Sequence, residues 1–183
     1  MSSQTIPVNS LSTIRADSVK TSAIPWLWRN KLPLGEITNF NGLPGEGKSI
    51  VACSVIAAVT TGGKFLDGTE NTLGPSEVLI LSTEDRSETV LVPRLKAAGA
   101  DLSKVIIITS TAAGNEGEGR SVALDTDIGA IKTTLRANPD IRLFVIDPVT
   151  NHLGGKVCSR SKRFETFSTS FPSTASLRSS SAT

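Results

Sequence analysis

Eight consecutive residues, Gly42-Leu43-Pro44-Gly45-Glu46-Gly47-Lys48-Ser49, constrain this chain more than any other stretch. Their spacing, G-x-x-x-x-G-K-S, is that of a phosphate-binding P-loop. Gly42, Gly45 and Gly47 permit positive φ angles and close backbone approach, so that successive N–H groups curl around an anion. Lys48 offers a point charge to β- and γ-phosphates, and Ser49 a hydroxyl to Mg²⁺. The flanks agree with the motif. Glu36 to Asn41 reads as a short strand, and Ser49 to Thr61 as a helix that is apolar on nearly every face and ends at Gly62-Gly63. Such a helix aims its positive end at the same anion. The expected nucleotide contacts are therefore Gly42, Leu43, Pro44, Gly45, Glu46, Gly47, Lys48, Ser49 and Ile50, with ATP and Mg²⁺ as ligands. A Gly/Pro-rich surface turn is the plain alternative.

Four apolar runs alternate with helical patterns. After the loop strand come Val78 to Ser82, Val105 to Ile108 and Arg142 to Asp147. Strands apolar on both faces belong to a parallel sheet covered by helices on each side, which predicts a three-layer α/β domain with a mostly parallel sheet. The helices read as Arg86 to Ala98, with Pro93 kinking it or delaying its start, and Asp125 to Ala137, with Ile128, Ile131 and Leu135 inward. Gly114 to Gly119 reads as a flexible loop. Pro25-Trp26-Leu27-Trp28 reads as a hydrophobic plug packing the sheet edge; contact with adenine or a neighbouring subunit is the other reading.

Composition narrows the class. A chain of 183 residues suits one domain with a sizeable core. No apolar run reaches membrane-spanning length and the N-terminus has no signal-peptide pattern, which together with two distant cysteines, Cys53 and Cys158, leads to a cytoplasmic expectation. Cys53 reads as a small core residue. Residues 1–155 hold 14 Lys/Arg and 16 Asp/Glu, a balance of −2, whereas residues 156–183 hold five and one, a balance of +4. The globular part is near neutral, so charge alone gives no argument for a nucleic-acid surface.

Two further carboxylates complete a candidate site. Asp147 closes the last apolar strand, where it can hold Mg²⁺ with Ser49. Glu84 follows the second strand, where a carboxylate can orient and deprotonate water in line with the γ-phosphate. Asp85 is its rival, and both also read as solvated charges or a helix cap. His152, the one histidine, reads as a loop residue.

GLPGEGKS, then LSTEDR with PRLKAAGADL a few residues on, then LFVIDPVT, together resemble the RecA-like AAA-domain ATPases that include RepA-type hexameric replicative helicases. The lead PWLWRNKLPLGEITNFNG looks like that family's approach to its P-loop, and the resemblance spans roughly residues 14–155. It implies a RecA-like core, with Lys48 serving phosphate, Ser49 and Asp147 the metal, and Glu84 catalysis. It also implies ATP hydrolysis, assembly into homo-oligomeric rings and DNA as a frequent partner. A non-motor ATP-binding regulator and a small-molecule kinase are the competing functions. The kinase is disfavoured by the lack of an arginine-rich lid and by Glu84, whose position suits water activation.

After Gly155 the sequence departs from the family pattern, which continues with a helix, two strands, a sensor residue and an arginine finger. The last 28 residues contain 13 Ser or Thr. The organisation expected is a flexible lead over 1–24, an ATPase core over 25–155 and a basic disordered tail over 156–183. A reading-frame slip offers another origin for the tail, because Val157 to Phe167 can be encoded by codons that give an acidic amphipathic helix two nucleotides later. A core truncated on that side is expected to bind ATP but to turn it over feebly or not at all.

Overall fold

The structure is a computed structural model, and it describes residues 12–43, 45–82, 87–110, 120–148 and 151, together with the backbone of 164–168. Pro44, Glu84, Asp85, the loop from Gly114 to Gly119, His152 and Cys158 lie outside the described residues.

Among the described residues, seven strands and three α-helices follow one another as β1 (Trp26–Trp28), β2 (Leu32–Pro33), β3 (Ile37–Asn41), α1 (Lys48–Thr61), β4 (Glu77–Ser82), α2 (Val92–Ala97), β5 (Val105–Ile108), α3 (Leu124–Ala137), β6 (Ile141–Asp147) and β7 (Phe164–Ser168). The main sheet has the order β3-β7-β6-β4-β5. Strands β5, β4 and β6 are parallel. Strand β7 is antiparallel to both β6 and β3, so β3 runs in the same direction as β6.

Alternation along the central strands divides the core between the two faces of the sheet. Val78 and Ile80 of β4 and Leu143 and Val145 of β6 pack with α1 and with Leu91 and Leu95. Leu79 and Leu81, with Phe144 and Ile146, pack on the other face with Ile131 of α3. The result is the three-layer α/β architecture expected from strands apolar on both sides. One irregularity adjusts it: Glu77 pairs with Ile141 but Val78 with Leu143, so Arg142 is an extra residue and Ile141 joins the α3-side core.

Helix α1 is apolar all round because it is buried nearly all round. Val55, Ile56 and Val59 are at most 2% exposed, and Cys53 is buried in the same core. Thr60 is the polar exception. Its hydroxyl donates to Ile56 O (2.9 Å) and accepts from Asp101 N–H (3.1 Å), tying the helix to the turn before β5. Gly62, left-handed at φ 70°, ends the helix.

The aromatic lead is a packed plug in the α1-side core. Strands β1 and β2 pair antiparallel, with Leu27 and Trp28 buried. The Trp28 ring stacks on Phe65 at 4.9 Å and 7°, and its indole N–H donates to Asp67 (3.0 Å), which also takes a hydrogen bond from Lys31.

Two expectations are corrected, and a third, the helix around Pro93, shows the delayed start that is one of its two readings. Ile128 does not face inward; it is 45% exposed, and the buried positions of α3 are Asp127 and Ile131, with Leu124 and Leu135 partly covered. Asp127 tolerates burial because Arg120 donates to both its oxygens (2.8 and 2.6 Å) and Ala123 N–H adds a third bond (2.8 Å). The guanidinium foremost, then that backbone bond, hold the carboxyl below the usual range. The helix expected from Arg86 opens instead with a π-helical turn, Ser87–Leu91, before α2. Pro93 lacks the N–H that a regular turn would use there, which loosens the ladder just ahead of it. Finally, disorder was expected across 156–183, but Phe164–Ser168 form β7. Their sequence, Phe-Glu-Thr-Phe-Ser, is locally rich in strand formers although the surrounding composition is not, and the sheet presents a slot between β3 and β6.

Candidate nucleotide-binding site

The P-loop leaves β3 at Asn41 and enters α1 at Lys48. Gly45 and Gly47 adopt positive φ, 84° and 81°, the region that side chains with a Cβ resist. Gly42 serves differently. A Cβ on Gly42 would lie 2.7 Å from Glu46 Oε2, so glycine there admits a carboxylate folded back into the loop. That oxygen accepts from Leu43 N–H at 2.7 Å. Gly47 caps α1 and accepts from Ile50 N–H and Val51 N–H, both at 3.0 Å. The N–H groups of Lys48 and Ser49 precede these bonds at the helix start, where backbone donors point out of the helix toward a prospective anion.

Lys48 is buried, and its ammonium donates to Gly42 O (3.1 Å) and Leu43 O (2.9 Å). It is thus folded over its own loop, with its positive charge held by two loop carbonyls. Ser49 is half-buried beside it, whereas Leu43 and Ile50 are largely exposed at the mouth of the loop.

The sheet brings a second group to the same edge. Helix α1 returns from the loop across β4 and β6, so its N-terminus lies at the carboxyl ends of those strands. Asp147 ends β6 and is in register with Ser82, which ends β4. Alternation from Val145 and from Ile80, both in the α1-side core, puts Asp147 and Ser82 on the α1 face of the sheet. Strand β7 separates β3 from β6, a spacing of about 10 Å at ordinary strand separation. Lys48, Ser49, Ser82 and Asp147 therefore share one edge and one face. The oxygens there, two hydroxyls and a carboxylate, are the hard donors that Mg²⁺ takes, and that ion keeps several of its waters. Ser82 is not a candidate that the sequence alone offers, because it appears only as the last letter of an apolar strand; a polar residue at that position is the available signal.

A loop of this geometry between a strand and a buried helix, in a three-layer α/β domain, defines a P-loop nucleotide-binding protein. The family model described as an AAA domain matches residues 3–171. The chain belongs to that family, one of AAA-type P-loop ATPases. No curated protein and no solved structure matches the chain. Among the described residues, no helix is long and apolar enough to cross a membrane.

Proposed function

We propose that this chain is an ATP-binding and ATP-hydrolysing module of a DNA-acting ring ATPase of the RepA-type helicase kind. The observation that carries the nucleotide part is the P-loop itself, with Lys48 buried among loop carbonyls at the start of a helix fixed in the core. The DNA and ring parts rest on the resemblance of GLPGEGKS, LSTEDR and LFVIDPVT to that group.

In this reading Gly42 to Ile50 wrap the phosphates. Lys48 exchanges its two carbonyl acceptors for β- and γ-phosphate oxygens, so a cation already in place is redirected rather than ordered from solvent. Ser49 and Asp147 would hold Mg²⁺, which when bound neutralises charge on the β- and γ-phosphates. Glu84 orients the attacking water and takes its proton.

Calorimetric titration with Mg-ATP tests the first half: micromolar binding is expected, and no heat from the folded chain would overturn it. Turnover with and without single-stranded DNA, paired with native mass measurement, tests the second. DNA stimulation and ring-sized assemblies support the motor; monomeric binding without stimulation replaces it with a non-motor regulator.

A further inference from the structure

Among the described residues, Ser82 Oγ is the buried side-chain oxygen that has no hydrogen-bond partner. A hydroxyl in that state is destabilising, and proteins seldom keep one without a use for it. Every other residue from Val78 to Leu81 of the same strand is fully apolar and buried. Ala or Val at 82 would continue the strand without leaving an unpaired oxygen. The position also selects the ligand. Ser82 sits directly across from Asp147 in a parallel register, about 5 Å away at strand spacing, on the face that receives the N-terminus of α1.

We propose that the Ser82 hydroxyl is a positioning group for the metal–nucleotide complex, hydrogen-bonded to a water in the coordination shell of the Mg²⁺ held beside Asp147. This deepens the nucleotide-binding reading above and depends on it. The chemistry suits the group. Mg²⁺ binds through few protein oxygens and retains polarised waters, and a hydroxyl can accept from one of these without displacing it. Ser82 ends a strand whereas Ser49 begins the P-loop helix, so the two would approach the metal from the sheet and from the helix, respectively.

The test compares ATP affinity in EDTA with affinity at saturating Mg²⁺, by calorimetry, for the wild-type chain, Ser82→Ala and Ser82→Thr. Ser82→Ala should bind metal-free ATP as the wild type does. It should lose roughly 2- to 12-fold of the affinity that Mg²⁺ adds, the loss of one net hydrogen bond. Ser82→Thr, which keeps the hydroxyl, should restore most of it. The melting temperature of nucleotide-free Ser82→Ala should equal or exceed the wild type, because an unpaired buried oxygen has been removed. An unchanged Mg²⁺ effect in Ser82→Ala overturns the proposal, as does an equal loss with and without metal. A wild-type chain that binds no ATP in either buffer overturns the nucleotide reading itself, and the role of Ser82 with it.

Discussion

Gly62 closes the helix that carries Lys48 at its other end, and replacing it with alanine should be unusually costly. Two separate effects combine there. At φ 70° an alanine is held in the left-handed region, at a cost of about 1–2 kcal/mol. Its Cβ would also lie 2.7 Å from Pro75 Cδ and 2.8 Å from Pro75 N, against 3.4–4 Å for ordinary contact. Neither atom can swing aside, since one belongs to a closed ring and the other to the backbone. Overpacking of that kind costs about 1–3 kcal/mol, so Gly62→Ala should lose about 2–5 kcal/mol in all. Gly68 supplies the internal control. Its φ is 81°, but a Cβ there would meet nothing within 4 Å, so Gly68→Ala should lose only the backbone share, about 1–2 kcal/mol. Urea unfolding followed by tryptophan emission measures both. Equal losses in the two variants would refute the contact with Pro75 as a determinant of stability and leave only the backbone angle.

Lys48→Ala should weaken Mg-ATP binding by about 10-fold or more while the fold persists, since it removes the one side-chain cation of the loop and frees carbonyls that water can reach; calorimetry with a circular dichroism control decides it. Glu84→Gln should keep ATP bound but slow single-turnover hydrolysis by about 10²-fold or more, because an amide cannot take the water's proton; a rate equal to wild type would transfer the role to Asp85 or another carboxylate. The Lys31 ammonium foremost, then Thr69, hold the Asp67 carboxyl well below its usual 3.8. A lowered folded-state value means that Asp67 stabilises the fold above pH 3.8 and loses this contribution as pH falls below it. Melting temperatures of the wild type and Asp67→Asn should therefore differ at neutral pH and converge in acid, and a constant gap would contradict the linkage.

The parts of this fold legible in the sequence are those where several physical signals coincide. A glycine loop, a short strand before it and an apolar helix behind it all point to the same supersecondary unit. The continuous runs at Val78–Leu81 and Leu143–Ile146 could be read because they are buried on both faces. Where one signal stood alone, reading was less secure. Ile128 looks inward by hydrophobicity, yet the Arg120–Asp127 pair takes the buried position one residue earlier. Residues 164–168 were submerged in a Ser/Thr-rich average, and only a tertiary slot, invisible to local composition, calls for a strand there. Trp26–Trp28 was read as a plug but not as half of a hairpin, since its turn depends on Asn30 adopting φ 62°, a conformation few residues other than glycine take.

The insertion of β7 between β3 and β6 bears on the order in which this protein can acquire its structure during synthesis. The strand that feeds the P-loop is made early, at residues 37–41, yet its sheet partner is made late, at residues 164–168. Strands β4, β5 and β6 can pair as soon as residue 147 has emerged, because they contact one another directly. The loop strand must wait. Its ladder closes over more than a hundred intervening residues, the kind of long-range pairing that forms slowly and after local contacts. A ribosome-bound chain ending before residue 164 would therefore carry a consolidated central sheet beside a P-loop strand that has no ladder to join.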